Sequence, residues 1–261
     1  MKLKDAVAIV TGSATGVGAA TAELLASKGC HVVINFTKSE TEARETEARC
    51  KAKGVKTLLV QANVANDEDC RRMVEQAVEH FGRLDALVNN AGTTKFVDHA
   101  DLNGLSAADF QAIYAVNVIG AFQMIRAATP QLKKAGRAAI VNISSIAGVM
   151  GTGSSVAYAA SKGALNTMTL SLARVLGPEI SVNAICPGFI DGKWLREGYG
   201  EERYKQMLDR YKAATPLHKA ATTDEVAAAV VWMLEGSDVI TGETLIVDAG
   251  VHLGGAPLKA R

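Results

Sequence analysis

The chain has 261 residues, 48% of them hydrophobic and 21% charged, with a formal net charge of +1. That balance describes an ordinary globular protein rather than a disordered one, and a single α/β unit of this length can bury a substantial core. It leaves no excess positive field for a nucleic acid or an anionic membrane, and no basic run supplies one locally, so neither partner is expected.

Short β-branched runs alternate with longer stretches of helical period. Residues 6–11 read as a strand, 17–27 as a helix ended by Gly29, and 31–35 as a second strand. A charged helix at 40–53 closes at Gly54, a strand follows at 57–60, a helix at 67–81 closes at Gly82, and a fourth strand runs over 84–88. After a loop at 93–104 come a helix at 107–134, a strand at 138–143, a helix at 156–176 and a strand at 181–185. Residues 189–216 break the rhythm with scattered aromatics and charges before a helix at 224–234 and a last strand at 243–247. Strands joined by crossover helices imply a parallel sheet covered on both faces, so the expected architecture is α/β, one doubly wound Rossmann-type domain over residues 1–261.

Four cysteines, Cys30, Cys50, Cys70 and Cys186, form no CxxC pair and have no histidines at ligand spacing, so reduced thiols and no metal are expected. The first ten residues are too charged for a secretory core, and no apolar run approaches the roughly 20 residues of a bilayer span. The expected location is the cytoplasm.

The first strand runs into a loop of Gly12, Ser13, Ala14, Thr15, Gly16, Val17 and Gly18 that opens the first helix. Glycines there allow a tight turn and a close backbone approach to a pyrophosphate, which the helix N–H groups and dipole attract, although the spacing departs from GxGxxG. At the end of the fourth strand, Asn89, Asn90, Ala91 and Gly92 reach the same carboxyl edge; they read either as a plain turn or as a second nucleotide loop. The end of the second strand, Asn35, Phe36, Thr37 and Lys38, carries no acidic residue. An acidic residue there would hold a ribose 2′-hydroxyl and repel a 2′-phosphate, whereas Thr37 and Lys38 offer a hydroxyl and a cation, so the expected cofactor is NADP rather than NAD.

Tyr158 and Lys162, four apart on a helix, share a face. The pair reads as an exposed amphipathic edge or as an acid–base pair in which the ammonium draws the phenol down toward the working pH. Ser145, just past the fifth strand, emerges at the same edge and can donate to a substrate oxygen, while Ser144 should face the other way.

At this point the chain closely resembles the short-chain dehydrogenase/reductase family over residues 4–254. The resemblance is carried by TGSATGVG at 11–18, NNAG at 89–92, Asn117 within AVNV, NISS at 142–145, YAASK at 158–162, PG at 187–188 and ITGETLIVDAG at 240–250. It implies that Tyr158 donates the proton, Ser145 polarises a carbonyl, Lys162 binds the nicotinamide ribose and lowers the tyrosine pKa, and Asn117 holds a water. It also implies that Asn90, Pro187 and Gly188 frame the nicotinamide and that Asn63 and Val64 flank the adenine. One departure is Gly192, where the family commonly has a threonine; the backbone N–H of Ile190 is the expected substitute.

Within the family the chain looks like the 3-oxoacyl-acyl carrier protein reductases, which implies reduction of a ketone to a secondary alcohol, with a carrier-bound thioester among the candidate substrates. Lys133, Lys134, Arg137 and Arg174 would meet a carrier or else form solvated helix ends. A sugar-alcohol dehydrogenase running oxidatively and a non-catalytic NADP(H) sensor are the alternatives. Residues 189–216 are expected to form a substrate lid whose Trp194, Leu195, Tyr199, Tyr204, Met207 and Tyr211 either line the pocket or pack. The helix carrying Ala157, Ala159, Ala160, Gly163 and Ala164, together with Phe110, Ile113 and Tyr114, suggests close helix packing between subunits and, with the resemblance, a homotetramer.

Overall fold

The computed structural model describes residues 1–236 and 238–254. β1 (Val7–Val10) leads into α1 (Gly16–Ser27), and the alternation continues through β2 (His31–Phe36), α2 (Glu40–Lys51), β3 (Thr57–Gln61), α3 (Asp67–Phe81) and β4 (Ala86–Asn89). A long helix follows in three parts: α4 (Ala107–Tyr114), a π-helical stretch (Ala115–Gly120) and α5 (Ala121–Lys134). β5 (Ala138–Ile143), the short α6 (Ala147–Met150), α7 (Val156–Leu176) and β6 (Ile180–Pro187) come next. Then follow β7 (Ile190–Asp191), α8 (Lys193–Tyr199), α9 (Glu201–Ala214), β8 (Ala221–Thr222), α10 (Thr223–Gly236) and β9 (Thr244–Val247).

Seven strands make one parallel sheet in the order β3-β2-β1-β4-β5-β6-β9. Successive residues of β1 serve opposite faces: Ala8 and Val10 join the core with Leu25 of α1 and Val230 of α10, and Val7 and Ile9 join the one with Met73 of α3 and Met124 of α5. Burying a side chain such as Ile9 contributes roughly 1.5–3 kcal/mol, so two filled faces hold the sheet. The chain steps outward from β1 to β3 and returns to pair β4 beside β1. That reversal opens a crevice at the carboxyl ends of β1 and β4, where the candidate site residues gather.

The doubly wound single-domain expectation is met over the described residues; Ser237 and residues 255–261 of the expected span lie outside them. Residues 189–216 are not irregular: α8 and α9 occupy most of them, separated by Gly200 at φ +79°. What breaks there is the strand rhythm. α6 was not legible because one turn of AGVM shows no period; it packs so closely on α7 that a Cβ at Gly148 would lie 2.5 Å from the carbonyl carbon of Lys162. Ala107–Lys134 is, by length and apolar composition, long enough to cross a membrane, contrary to the sequence expectation; here Met124, Ile125, Ala128 and Leu132 cover the sheet.

Candidate active site

Thr11 pins the first two loops together. Its hydroxyl accepts the backbone N–H groups of Asn90 and Ala91, both at 3.0 Å, while Asn90 Nδ2 donates to the carbonyls of Thr11 and Gly12 at 2.9 and 3.0 Å. The close approach demands glycine: a Cβ on Gly18 would lie 2.4 Å from Asn90 Nδ2, and one on Gly12, already at φ +60°, 2.9 Å from Cα of Ala91. Ser13 and Asn35 turn inward. Ser13 Oγ donates to Val10 and accepts the Asn35 N–H, and Asn35 Oδ1 accepts the Gly12 N–H at 2.9 Å while its amide reaches the Val60 and Ala62 carbonyls. These two brace the loop and leave Thr15, Gly16 and Val17 on its outside. The N-termini of α3, α4 and α7 are capped by Asn66, Ser106 and Ser155; Thr15 makes no such bond, so the first turn of α1 keeps N–H groups open to an anion.

At the end of β2 the four candidate residues divide. Phe36, only 6% exposed, packs into the core, which corrects its expected place on the ligand surface. Thr37 Oγ1 donates to the Ala62 carbonyl, and Lys38 is exposed with no ion pair or hydrogen bond among the described residues. Asn63 is exposed and folded into its own turn, its N–H on Asp69 and its Oδ1 accepting from Ala65 N. Val64 is buried beneath it, its carbonyl held by Gln123 Nε2 at 2.8 Å.

The sequence-predicted catalytic residues meet behind this cradle. Ser155 caps α7 by accepting the Tyr158 N–H, which fixes the first turn and with it the tyrosine. Ser144 Oγ donates to the Lys162 carbonyl, facing away from the site as strand alternation requires, and leaves Ser145 beside the phenol. Lys162 Nζ donates to the Ile143 carbonyl at 2.8 Å and lies 5.6 Å from the centre of the Tyr158 ring. Asn117, in the π-helical stretch, is fully engaged: its amide donates to the Thr93 carbonyl and to Ser161 Oγ, and its Oδ1 accepts the Thr93 N–H. Gly92 lies beside this group, its Cβ position 3.5 Å from Asn117 Oδ1 and 3.7 Å from Lys162 Nζ.

The expected coupling of Tyr158 and Lys162 runs differently in the protein alone. Burial pushes the phenol up to about 12, and only the hydroxyl of Ser145 pulls it back. Burial also brings Lys162 down to about 8. Desolvation penalises both charged forms more than the ammonium helps the phenolate at this separation. Tyr158 is therefore a protonated phenol over the physiological range.

Aromatic groups cover the phenol. Trp194 of α8 lies 6.0 Å from the Tyr158 ring and 5.9 Å from Phe96, and Phe96 meets Tyr199 edge-on at 4.7 Å. Tyr204 and Tyr211 do something else: both pack on Phe189, and Tyr211 donates to the Asp248 carbonyl. Thus Trp194 and Tyr199 face the site while Tyr204 and Tyr211 anchor α9. Pro187 and Gly188 end β6 at the same edge, Gly188 held by the Val247 carbonyl at 2.9 Å. Ile190 is half-buried in β7 opposite Ala221, and Gly192 has open space with only Thr223 Cγ2 near, at 3.9 Å from an added Cβ. Sequence reading placed Thr11 in the glycine loop without giving it a role and missed Phe96 and Ser154, which ties down the loop after β4 through Thr94 and the Val97 N–H. For Thr11 a signal existed, a hydroxyl directly before the glycine; Phe96 had none, lying in a loop without period.

A family model described as enoyl-(acyl carrier protein) reductase matches residues 12–252. A Streptomyces violaceoruber protein named as ketoacyl reductase 2 of the granaticin polyketide synthase is 39% identical, over 95% of this chain and 96% of its own. The 3-oxoacyl-acyl-carrier-protein reductase FabG of Staphylococcus aureus is 34% identical, over 94% and 98%. Among solved structures, a Burkholderia xenovorans protein described as a short-chain dehydrogenase/reductase superposes with a TM-score of 0.89 at 39% identity, covering 95% of this chain and 98% of the other. An NAD⁺-bound xylitol dehydrogenase gives 0.88 at 28% identity, covering 96% and 100%.

Proposed function

Because the chain belongs to the short-chain dehydrogenase/reductase family of oxidoreductases, we propose that it reduces a ketone to a secondary alcohol with NADPH, a 3-oxoacyl thioester being one candidate substrate. The observation that carries this reading is the meeting of a buried, protonated Tyr158 with Ser145 and Lys162 beside a glycine cradle whose helix end is open.

The residues present fit a dinucleotide. The space that a Cβ on Gly12 or Gly18 would fill is closed by backbone and Asn90, and the uncapped turn of α1 faces outward from it. Gly12, Thr15, Gly16, Val17 and Gly18 would hold the pyrophosphate, and Lys38 the 2′-phosphate, with Thr37 fixing the end of β2 through the Ala62 carbonyl. Asn63 and Val64 would border the adenine. Asn90, Ala91, Gly92, Lys162, Pro187, Gly188 and Ile190 would border the nicotinamide end. Ser13 and Asn35 would act by bracing the loop.

Bound there, NADPH would supply the hydride to the carbonyl carbon. Ser145 Oγ donates to the carbonyl oxygen as negative charge develops on it. Tyr158 gives that oxygen its phenolic proton, completing the alcohol. The phenolate left behind is reprotonated through Lys162, which burial disposes to release a proton near pH 8. Asn117 holds Thr93, and so the loop above Lys162, in place. Trp194, on the lid over 189–216, and Phe96, which packs against it from the loop after β4, exclude water from the reacting atoms.

Steady-state cofactor oxidation against a panel of ketones and 3-oxoacyl thioesters, with NADPH and NADH compared, tests the reading. Turnover of a ketone with kcat/KM favouring NADPH is expected; tight NADPH binding without turnover on any of them would refute it. The likeness to a xylitol dehydrogenase gives a second reading, the same residues run oxidatively on a sugar alcohol, which the reverse assay separates. For carrier binding, Lys133, Lys134 and Arg174 are exposed, whereas Arg137 is paired with Asp238 at 3.0 Å.

A homotetramer in the cytoplasm belongs to the same proposal. Ile119, Phe122, Leu170 and Val175 expose apolar surface along the long helix and α7, and β9 is a free edge of the sheet. Ala157 and Ile113 are buried within the subunit, so close packing between subunits falls to the exposed residues instead. Light scattering giving only a monomer at micromolar concentration would refute the assembly.

A further inference from the structure

Beyond the aromatic cover the site opens into a cavity of about 570 Å³. Its walls come from the loop after β4, the glycine-rich turn before α7, and α8 with α9. The end nearest Tyr158 is apolar: Phe96 reaches it only because Gly198 lacks a side chain, since a Cβ there would lie 2.1 Å from the phenyl ring, and Tyr199 meets Phe96 edge-on. Gly153 lies between the cavity and Tyr158, with its Cβ position 3.5 Å from the phenol ring.

The outer end is different. Arg203 of α9 lies 5.3 Å over the face of Tyr199, so one side of its guanidinium is spread on an aromatic surface. On these helices Arg196 pairs with Asp191 and Glu201, Lys205 with Glu201, and Lys193 with Glu197, while Arg210 and Lys212 of α9, which do not line the cavity, make no ion pair among the described residues. Arg203 has no ion pair and no hydrogen bond among the described residues. The carboxylate that shares the wall, Asp98, caps its own turn by accepting the Ala100 N–H at 2.9 Å and makes no ion pair with Arg203.

We propose that this cavity selects ketones built on a ring and bearing a carboxylate at the end remote from the carbonyl. The ring lies against Phe96 and Tyr199, with Trp194 behind Phe96 as its ring neighbour, and the carboxylate meets the guanidinium fork of Arg203. Arginine suits this task because its planar donors match a carboxylate in pairs and remain charged at any working pH. The inference rests on the ketone-reductase reading for the word ketone alone; the ring and anion preferences follow from the cavity walls.

Binding can be read without turnover. The sequence holds two tryptophans, Trp194 and Trp232, so in a Trp232→Phe background the emission reports Trp194 alone. Titration with 4-acetylbenzoate and with its methyl ester, the same aryl ketone with its carboxylate capped by a methyl group and uncharged, should quench that emission. The acid should bind roughly five- to tenfold tighter than the ester at low salt, and added salt should narrow the ratio. Arg203→Ala should bring the ratio to about one, and Arg203→Lys should keep part of it. Equal affinities in the unmodified protein, a ratio that survives Arg203→Ala, or no quenching by either ligand would overturn the proposal. A protein that binds the acid in this way yet reduces no ketone would instead refute the reductase reading and leave the anion site standing.

Discussion

Around residues 11–18 Thr11 and Ser13 turn into the protein and are satisfied there, whereas around 193–199 Trp194 and Tyr199 stand over the site, Trp194 with much of its surface open. The side chains of Ser13, Asn35 and Asn90 all hydrogen-bond to backbone, and none of the three presents its polar group outward. Trp194, by contrast, is 48% exposed and touches its neighbours only through rings. The first region offers a ligand a backbone surface whose shape admits no variation. The second offers side chains, each of which can change without disturbing the sheet. A dinucleotide that is the same for every substrate suits the first, and a substrate that differs among relatives suits the second.

The largest expected effect lies on the seam between them. Tyr158→Phe removes the phenolic proton and leaves the ring packing intact, so kcat should fall roughly 100-fold or more with NADPH affinity retained. Near-normal turnover by that variant would show that another group is the acid. The contrast in rigidity is tested by Gly18→Ala against Trp194→Ala. The added methyl on Gly18 collides with Asn90 Nδ2 and the Gly12 carbonyl, at 2.4 and 2.5 Å. Such overpacking costs about 1–3 kcal/mol, a fall in Tm of about 2–10 °C at this chain length. Trp194→Ala should leave Tm within about 2 °C and act on substrate KM. Equal losses of Tm would mean that the lid is as much a part of the core as the cradle.

The same contrast explains what was legible in the sequence. The sheet was readable because strands buried on both faces must be continuous apolar runs, and the glycine loop because backbone collisions at Gly12 and Gly18 admit one residue type. Ser145, Tyr158 and Lys162 were readable by spacing together with a family resemblance, and Asn117 by resemblance alone. Three things were not readable. Phe36 was assigned to the cofactor site because it stands where NAD-dependent relatives carry an acidic residue, yet its side chain is buried, since the sheet is covered on each side. Trp194 and Tyr199 could not be separated from Tyr204 and Tyr211, because facing a site or anchoring a helix depends on contacts with Phe96 and Phe189, distant in sequence. The direction of the Tyr158 pKa depends on burial outweighing a charge, which spacing alone does not weigh.

Lys162 gives a test of that last point through stability. Its pKa in the fold, about 8, lies below the ordinary 10.5. Below pH 8 the ammonium is present folded and unfolded, and the fold bears the full cost of burying it. Between pH 8 and 10.5 the unfolded chain holds the proton and the folded one does not, so stability from this group rises with pH across that window. Lys162→Met has no such term, while Tyr158 is common to both proteins and cancels. The Tm of the unmodified protein, measured relative to Lys162→Met, should climb from pH 8 to 10.5 and be flat below; parallel curves would mean that the ammonium is solvated.

The smallest effect expected is also the one that decides the cofactor. Phe36→Asp, the change that the sequence pattern suggests for introducing an NAD-type carboxylate, would put that charge into the core beside Ala14 and Ala43, and lost folding would mask any change in cofactor preference. Lys38 avoids the difficulty, being exposed and free of ion pairs among the described residues. An exposed cation facing a phosphate contributes about 1 kcal/mol at low salt, so Lys38→Ala should raise the Kd for NADPH by roughly fivefold. NADH has no 2′-phosphate, so its Kd should stay the same, and raising the salt should shrink the NADPH effect by screening. Because Thr37 already spends its hydroxyl on the Ala62 carbonyl, Thr37→Ala should change NADPH binding less than Lys38→Ala does. If the Kd values for NADPH and NADH moved together in Lys38→Ala, the lysine would be acting on the adenosine or the loop as a whole, and the assignment of NADP over NAD would lose its support.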